Sequence, residues 1–554
     1  MSSNVKLWSK NYPKNVSLDL GEIKEKSLCD VMENSCKKYS ERVAFSSMGK
    51  ELSFNDLLKT SYKLAEFLQR DWNLKKGDCV AIMMPNILPY PIAVFSSFLT
   101  GLVITNINPL SPPLELAFQL KDSKAKAIIA LNFFGKTIQE AIEINGKDSP
   151  LKHVMLSKIG DLFPTIKGLV MNFVVKNIQK KVPAYDFNHN TFSEILNKKG
   201  EFDKIEIEQE DLAFLQYTGG TTGNPKAAML SHKNLLSNLY QVDSFVTHTE
   251  KDVIVTALPI YHIFSLNANL LRGISLGSKQ ILIANPRDVK SVVKDLKNEK
   301  FTCLCGVNTL FNLFMNDEDF CKLDFSNLIY TIGGGMAVLK DTADRWHKLT
   351  GRIIYQGYGL TETSPAVTLS NPDLTSFDGS TGIPVPSTDI LIIDDSGQEV
   401  ETGKEGEVCV KGPQVMKSYW NNEEETKQAF HKGEWFKTGD IGKLDENGCL
   451  YLTDRKKDMI IVSGFNVYPT QVEDVISQHP SVFEVACIGV PSERSNEEVK
   501  AFVILEENQH LTLDELRKFC KDRMLAYKVP SQLEIVDSLP KSNVGKILRR
   551  LLRK

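Results

Sequence analysis

Residues 213–230 read AFLQYTGGTTGNPKAAML, and this stretch decides how the rest of the chain is interpreted. Apolar, strand-like residues stand on both sides of a loop that holds three glycines, three threonines and Lys226. Glycines let the backbone approach a ligand closely, and successive N–H groups, hydroxyls and an ammonium suit phosphate oxygens. The lysine follows Pro225, so the loop is not a Walker A motif. It predicts a phosphate-binding loop of another kind, with a mobile surface hairpin as the alternative.

The chain around this loop has the pattern of a layered α/β protein. SFND (53–56) predicts the capped start of a helix, and strand-length apolar runs alternate with helical patterns over the first 450 residues. These runs are CVAIMM (79–84), AIIAL (127–131), VIVTA (253–257), QILIA (280–284), LIYTI (328–332) and ILIID (390–394). Such a pattern is typical of sheets covered by helices on both faces.

After about residue 457 the pattern becomes strand, helix, strand, strand, helix, strand, which predicts a small α+β domain. We therefore predict an α/β fold with a large multi-layer N-terminal domain at 1–453 and a small, mobile C-terminal domain at 459–554. The charged run DRKKD (454–458) joins them and suits an exposed hinge.

Length and composition narrow the class of protein. The 554 residues suggest several packed units, and 42% apolar with 24% charged residues is the composition of a soluble globular protein. A net charge of −3 excludes a generic nucleic-acid binder. The ten cysteines form no C-x-x-C pair, which favours reduced thiols in a cytoplasmic protein without a zinc framework. The uncharged stretch 79–114 is interrupted by prolines, so it predicts a buried strand–helix–strand, not a membrane span.

Five further motifs follow the loop in a fixed order. They are GGGM (333–336) with QGYGLTET (356–363), WFKTGD (435–440), DRKKD (454–458), GFNVYP (464–469) and LPKSNVGK (539–546). Each alone would be an ordinary turn or charge run. Chemically, Tyr358 offers a stacking face, Glu362 a hard oxygen ligand for Mg²⁺, and Asp440 a carboxylate that can accept from ribose hydroxyls.

Together these motifs resemble those of the adenylate-forming superfamily, and in particular its acyl-CoA synthetases. Stretches such as NFVVKNIQKKVP, ALPIYHIFSL, GPQVMKSYW and LPKSNVGKILRR are most similar to the bacterial long-chain fatty acid:CoA ligases. The resemblance implies a ligase that converts ATP, a fatty acid and CoA into acyl-CoA, AMP and pyrophosphate through an acyl-adenylate. One departure is Ala227, where the family usually has glycine; a methyl group is tolerable there if φ stays negative.

The resemblance also implies roles for individual residues. Nucleotide and cofactor binding falls to Tyr217, Thr218, Gly219, Gly220, Thr221, Thr222, Gly223, Lys226, Gly333, Gly334, Gly335, Gln356, Gly357, Tyr358, Gly359, Thr361, Glu362, Asp440, Arg455, Gly464 and Lys546. Catalytic roles fall to Lys546, Glu362, Thr361, Lys226 and His262, with Mg²⁺ held by Thr218 and Glu362 and a hinge at Lys457. For His262 a buried structural histidine is the alternative.

Several segments outside the motifs have patterns that suggest further roles. LFPTIKGLVMNFVVKNIQKKV (162–182) interleaves apolar residues with lysines, so it either lies on the cytoplasmic face of the inner membrane or is a covered surface helix. Residues 547–554 alternate leucines with arginines and predict an amphipathic terminal helix with a solvated basic face, Lys546 apart. The sequence leaves open whether the protein forms a homodimer. Segments 259–273 and 306–314 are apolar enough to line an acyl tunnel, although such segments usually form core.

Three other functions share this scaffold or its ligands. A fatty acyl-AMP ligase would load an acyl carrier protein, but the chain stops eight residues after Lys546 and no carrier domain is expected. A light-emitting oxygenase would be distinguished by oxygen-dependent emission. A non-catalytic acyl or nucleotide sensor would be expected to lack Glu362, Asp440 or Lys546, and all three are present.

Overall fold

Two large sheets form the framework of the N-terminal part, in a computed structural model that describes residues 7–218, 225–247, 249–492, 495–542 and 545–553. The first has nine strands, in spatial order Ile383–Pro384, Ala366–Leu369, Ile354–Gly359, Tyr330–Gly334, Cys303–Gly306, Val253–Thr256, Lys279–Leu282, Val43–Ser47 and Lys50–Ser53. The second has seven, Asn190–Thr191, His153–Ser157, Ala125–Leu131, Cys79–Met83, Val103–Asn106, Leu212–Thr218 and Lys226–Ser231. Both are parallel except at their edges.

Two smaller sheets complete the chain. One is antiparallel and contains Asp389–Ile393, Gly406–Lys411, Trp435–Leu444, Phe430–His431 and Leu450–Arg455. The other lies in the C-terminal part and contains Phe465–Val467, Ile460–Val462, Asn496–Leu505, Val482–Ser492 and Gln532–Ile535. This last sheet has a separate hydrophobic core, all of whose buried residues lie between Ile460 and Cys520.

Helices cover the sheets, as the alternating pattern predicted. The α-helices are Leu28–Lys38, Phe54–Glu66, Pro89–Leu99, Pro113–Asp122, Gly135–Asn145, Thr165–Phe173, His232–Phe245, Ile263–Ser265, Arg272–Leu276, Val289–Leu296, Asn308–Met315, Glu318–Cys321, Lys340–Thr350, Glu423–Ala429, Pro469–Ile476 and Leu513–Lys521. Shorter 3₁₀ segments are Leu7–Asn11, Asn132–Phe134, Gly146–Asp148, Phe192–Asn197, Thr361–Thr363, Lys456–Asp458, Ala526–Lys528 and Arg549–Leu551, and π-helical ones are Phe67–Asp71, Val174–Ile178 and Leu266–Leu271.

The uncharged stretch 79–114 forms the predicted strand–helix–strand. Its helix, Pro89–Leu99, is buried at every position because its neighbours in the largest core cluster surround it. Ser53 caps the helix Phe54–Glu66 by accepting from the Asp56 N–H at 3.0 Å. Within the described ranges no helix is both long and apolar enough to cross a membrane. The expected fold class is confirmed.

The prediction for the C-terminus was wrong. Residues 547–553 form a single 3₁₀ turn, Arg549–Leu551, where an amphipathic helix was expected. The turn is fixed by the Leu548 N–H, which donates to the Pro540 carbonyl at 2.8 Å, and by ion pairs of Arg549. Arg549 has only 16% of its side chain exposed, so the expected solvated basic face does not include it.

Candidate functional site

A cleft of about 770 Å³ opens at the carboxyl ends of the parallel strands of both large sheets. Thr218 ends one strand of the second sheet, while Gly334 and Gly359 end two strands of the first. This is where open parallel sheets bind ligands, because strand ends leave crevices between diverging loops. Of the predicted site residues, the cleft is lined by Tyr217, Thr218, Lys226, His262, Gly334, Gly335, Gly357, Tyr358, Gly359, Thr361, Glu362, Arg455, Lys457 and Lys546.

The remaining predicted residues lie elsewhere. Gly219, Gly220, Thr221, Thr222 and Gly223 are outside the described residues. Four others do not line the cleft, namely Gly333, Gln356, Asp440 and Gly464. Asp440 lies directly behind the lining, since its carboxylate is hydrogen-bonded to Tyr358. The other three residues are kept out of the lining in different ways.

Backbone packing and side-chain bonding explain the other three positions. Gly333 faces Val338 and Ile354 closely enough that a Cβ would lie 2.6 Å and 2.8 Å from their methyl carbons. The Gln356 amide is turned away and donates to the Ser380 carbonyl at 2.7 Å. Gly464, with φ of +83°, occupies an exposed turn of the C-terminal part.

Asp440 connects two residues of the cleft wall. Its carboxylate accepts from the Tyr358 hydroxyl at 2.6 Å and pairs with the Arg455 Nε at 2.6 Å. The antiparallel register, which places Asp440 opposite Arg455, brings this pair together. Burial raises the pKa of the Tyr358 hydroxyl, and the Asp440 charge adds to the rise, so the hydroxyl stays a donor. The arrangement places a carboxylate directly behind the cleft wall.

Lys546 reaches the cleft from the last few residues of the chain. Its loop is closed by the Ser542 N–H, which donates to the Lys546 carbonyl at 2.7 Å. The Thr309 hydroxyl donates to the Gly545 carbonyl at 3.2 Å and attaches the loop to the N-terminal part. Burial lowers the pKa of Lys546 to about 8, and the Arg455 charge contributes in the same direction. A desolvated ammonium therefore faces the cleft.

His262 lies after the strand Val253–Thr256 and also lines the cleft. Burial, together with the charge of the nearby Lys546 ammonium, lowers its pKa to about 4. Its Nδ1 accepts from the Phe264 N–H at 3.3 Å, which caps the short helix Ile263–Ser265. The imidazole is consequently neutral near pH 7 and presents its other nitrogen for a separate contact.

Glu362 is the buried carboxylate of the cleft. Its Oε1 accepts from the Tyr419 hydroxyl at 2.7 Å, and only 8% of the residue is exposed. Within the described ranges no group of three or more His, Cys, Asp or Glu side chains is placed to hold a metal ion. One carboxylate with a hydroxyl such as Thr218 fits Mg²⁺, which is commonly held by one or two carboxylates together with substrate phosphates and water.

Sequence reasoning missed Tyr419 and Glu425. The ring of Tyr419 lies 5.6 Å from the Lys226 Nζ, and Glu425 forms an ion pair with the same ammonium. Tyr419 lies within GPQVMKSYW and Glu425 follows it. That stretch contributed to the resemblance to the ligases, but no role was predicted for any of its residues. Tyr419 thus contacts the lysine of the phosphate-binding loop and the carboxylate of Glu362 at once.

Ala227, which replaces the usual glycine of the family, has the extended backbone that a side chain there requires. It lies in the strand Lys226–Ser231, opposite Tyr217, and is buried at 1% exposure. A residue in an extended strand has negative φ, so the methyl group causes no backbone strain.

Comparison with known proteins covers nearly the entire chain. The family model described as "AMP-binding enzyme" matches residues 32–420, and "AMP-binding enzyme C-terminal domain" matches residues 471–546. A long-chain-fatty-acid--CoA ligase of Escherichia coli O6:H1 is 47% identical over 99% of this chain and 98% of its own. One from Bacillus subtilis is 34% identical over 99% of this chain and 97% of its own.

Solved structures have the same fold. The anthranilate CoA ligase AuaEII in complex with anthranoyl-AMP superimposes with a TM-score of 0.85 at 26% identity, covering 96% of this chain and 98% of that one. ATP-bound MatB from Rhodopseudomonas palustris gives a TM-score of 0.82 at 26% identity, covering 95% and 98%.

Two glycines of the cleft provide a matched test of its geometry. A Cβ at Gly359 would lie 1.8 Å from the Pro365 carbonyl oxygen, whereas at Gly357 it would lie 3.1 Å from a terminal methyl group of the Leu369 side chain. We expect Gly359→Ala to lower the free energy of unfolding by about 1–3 kcal/mol and Gly357→Ala to change it by less than about 1 kcal/mol. Urea unfolding measures both, and equal losses would contradict the placement of the 359–365 turn.

Proposed function

The chain belongs to the AMP-binding enzyme family, and on this premise we propose that it is a long-chain fatty acid:CoA ligase working through an acyl-adenylate. The observation that carries the proposal is the convergence of Lys546, Tyr358 and Glu362 on one cleft. These residues come from separate motifs, and a shared cleft is what a single nucleotide substrate requires. Similarity to the long-chain-fatty-acid--CoA ligases over nearly the full length of both chains supports a fatty acid and CoA as the other two substrates.

In the first step the fatty acid carboxylate attacks the α-phosphorus of ATP. The bond from that phosphorus to the bridging oxygen breaks, pyrophosphate leaves, and the acyl-adenylate remains. Because an anion attacks a polyanion, like-charge repulsion must be offset by fixed positive charge and N–H donors. Lys546, Lys226 and Arg455 supply that charge, with Thr361 as a hydroxyl donor, and Asp440 accepts from the ribose hydroxyls.

Mg²⁺ is part of the proposal. Thr218 and Glu362 would hold the ion, which supplies charge neutralisation at the phosphates when bound. Tyr419 orients Glu362 by donating to one oxygen, so the other oxygen would be available to the ion. Lys226 is paired with Glu425 here, so ATP phosphates would compete with that carboxylate for the ammonium.

In the second step the CoA sulfur attacks the acyl carbon, the bond to the AMP oxygen breaks, and the thiol proton leaves with solvent. No nucleophilic side chain is needed. We propose that the domains 1–453 and 459–554 are separated by the hinge 454–458, and that the small domain turns about Lys457 between steps. This turn would remove Lys546 and bring in Gly464, which is exposed in the present orientation. The independent core beginning at Ile460 supports such a division.

The acid is bound in the apolar part of the cleft. Val242, Ile263, Phe264, Val307 and Leu369 line the cleft, and His262 lines it as well, with its imidazole near the Lys546 ammonium. A neutral imidazole there suits a position between the acid carboxylate and the incoming thiol. Segment 306–314 contributes less than its composition suggested, since it supplies mostly core residues.

Loss of Lys546 tests the adenylation role. Removing one fixed donor to a transition-state charge typically costs about 3–4 kcal/mol, so Lys546→Ala should lower fatty-acid-dependent ATP–pyrophosphate exchange by roughly a hundredfold or more. Lys541→Ala is the control, because Lys541 is in the same loop but pairs with Glu484 at 2.8 Å outside the cleft. Unchanged exchange in Lys546→Ala would refute the assignment.

The pH dependence follows from the lowered pKa of Lys546, about 8. Lysine is charged below its pKa, so the cation is present at neutral pH and is lost as pH rises above about 8. We expect kcat/KM for ATP, which reports the free enzyme, to fall on the alkaline side with this pKa. The residual activity of Lys546→Arg should lack that alkaline fall, since guanidinium stays charged. An identical alkaline limb in Lys546→Arg would assign it to another group.

We also propose that the helical segment 165–178 contacts an anionic membrane at the cytoplasmic face of the inner membrane. It exposes a row of apolar side chains, namely Ile166 80%, Leu169 65%, Val170 57%, Phe173 59% and Ile178 67%. Lysines 167, 176, 180 and 181 lie within or beside this face and suit anionic headgroups. A surface helix covered by this chain, the alternative interpretation, does not fit such exposure.

Vesicle sedimentation tests this surface. We expect binding to vesicles with anionic lipid, weaker binding at high salt, and at least about tenfold weaker binding for Leu169→Glu/Phe173→Glu. Ile144→Glu, which alters another exposed apolar residue, is the control and should bind normally. Vesicle binding that is unaffected by the double variant would overturn the membrane contact. If the variant instead abolishes self-association of the protein in solution, the face belongs to a homodimer.

A further inference from the structure

Arg549 is held by a cluster of buried polar side chains that the reaction above does not use. Its guanidinium forms a two-pronged contact with Glu473, at 3.1 Å and 2.6 Å. It also donates to the Thr470 hydroxyl at 3.2 Å and lies 3.4 Å from Asp454 and 3.5 Å from Asp458. We call these five residues the Arg549 cluster. Only 2% of the Asp454 side chain and 9% of the Glu473 side chain are exposed.

The cluster is coupled to Lys546 through the backbone. Arg549 follows Lys546 by one short turn, and the Leu548 N–H donates to the Pro540 carbonyl at 2.8 Å. The Lys546 N–H donates to the Ser542 hydroxyl at 3.1 Å. Because Pro540, Ser542, Lys546 and Leu548 form one hydrogen-bonded loop, fixing the Arg549 side chain also fixes the position from which Lys546 projects.

The cluster joins both sides of the proposed hinge. Asp454 lies on the strand Leu450–Arg455 and pairs with Ile441 in the antiparallel sheet of the N-terminal part. Thr470 and Glu473 lie on the helix Pro469–Ile476, on the C-terminal side. A rotation about Lys457 would carry Arg549, Thr470 and Glu473 together and leave Asp454 behind. The contact with Glu473 would survive, and those with Asp454 would break.

Asp454 depends strongly on the groups that would leave. Its carboxylate accepts from the Thr470 N–H at 2.7 Å and contacts the Arg549 guanidinium, both across the hinge. Its remaining bond, from the Arg455 N–H at 2.7 Å, is local. Rotation would remove from this carboxylate both the hydrogen bond of the Thr470 N–H and the opposing charge of Arg549. The contacts therefore favour the orientation in which Lys546 occupies the cleft.

We propose that Asp454 and Arg549 are positioning residues for adenylation: their contact across the hinge holds the small domain with Lys546 in the cleft and is released before CoA attacks. The inference rests on the two-step reaction proposed above. Asp454 does not line the cleft, and the guanidinium of Arg549, a residue that does line it, is bonded to Thr470, Glu473 and Asp454. The effect of Asp454 and Arg549 is on the balance between two domain orientations, which a ligand or contact shifts only by its differential interaction with the two.

The two half-reactions, measured separately, test the inference. Asp454→Asn keeps the shape of the side chain and an acceptor for Thr470 but removes the charge opposite Arg549. We expect fatty-acid-dependent ATP–pyrophosphate exchange to fall about 5- to 150-fold, the usual range of a coupling between two states. Conversion of supplied acyl-adenylate and CoA to acyl-CoA should stay within about twofold of the unmodified protein or become faster, since it needs the other orientation.

Glu473→Gln is the matched control. Glu473 travels with Arg549, so its loss should lower the unfolding temperature and reduce both half-reactions in similar proportion. Arg549→Lys keeps a charge but loses the planar fork that bridges Asp454 and Glu473, so it should lower pyrophosphate exchange by a larger factor than the conversion of acyl-adenylate and CoA. It replaces Asp454→Asn if that variant does not fold.

The outcomes separate this inference from the function it rests on. A loss confined to pyrophosphate exchange supports the positioning role. Equal loss of both half-reactions in Asp454→Asn and Arg549→Lys, or no loss in either, overturns it. Absence of both half-reactions in the unmodified protein would overturn the proposed ligase function instead.

Discussion

The site depends on keeping a lysine ammonium in a desolvated cleft beside other cations. Burial and the Arg455 charge both oppose the protonated form of Lys546, whereas the Asp440 charge favours it. The Asp440 carboxylate also accepts a hydrogen bond from Tyr358 and forms an ion pair with Arg455. The cleft therefore carries unbalanced positive charge, which is the electrostatic condition for binding a polyphosphate. The strand register that places Asp440 opposite Arg455 and the loop that brings in Lys546 both serve this condition.

The sequence predicted the parts of the structure that local pattern determines. Strand-length apolar runs such as CVAIMM and AIIAL became strands, and Ser53 became a helix cap, because hydrophobic period and capping act over a few residues. Order and identity of the motifs were sufficient to predict that Tyr358, Glu362 and Lys546 share a cleft. The roles of these residues were predicted mainly from the resemblance to the acyl-CoA synthetases, and less from the residue pattern alone.

What the sequence could not predict depends on long-range partners. The leucine and arginine alternation at 547–554 suggested a helix, yet Arg549 is bound by Glu473 and Asp454, which lie far away in the chain. Tyr419 looked like any tyrosine beside a tryptophan, since its contacts with Glu362 and Lys226 exist only after folding. Gln356 belongs to a recognised motif, but its amide bonds to Ser380 and leaves the cleft to its neighbours.

The nine-stranded sheet has a consequence for biosynthesis. Its strand Val43–Ser47 is made early, and the hairpin with Lys50–Ser53 can form at once, but Phe45 pairs on its other side with Gln280. At ribosomal speeds of about 5–20 residues per second, the hairpin waits roughly 10 to 50 seconds with that edge open. During this interval the nascent chain exposes an unpaired strand edge, so a chaperone that shields the first 60 or so residues should raise the yield of folded protein.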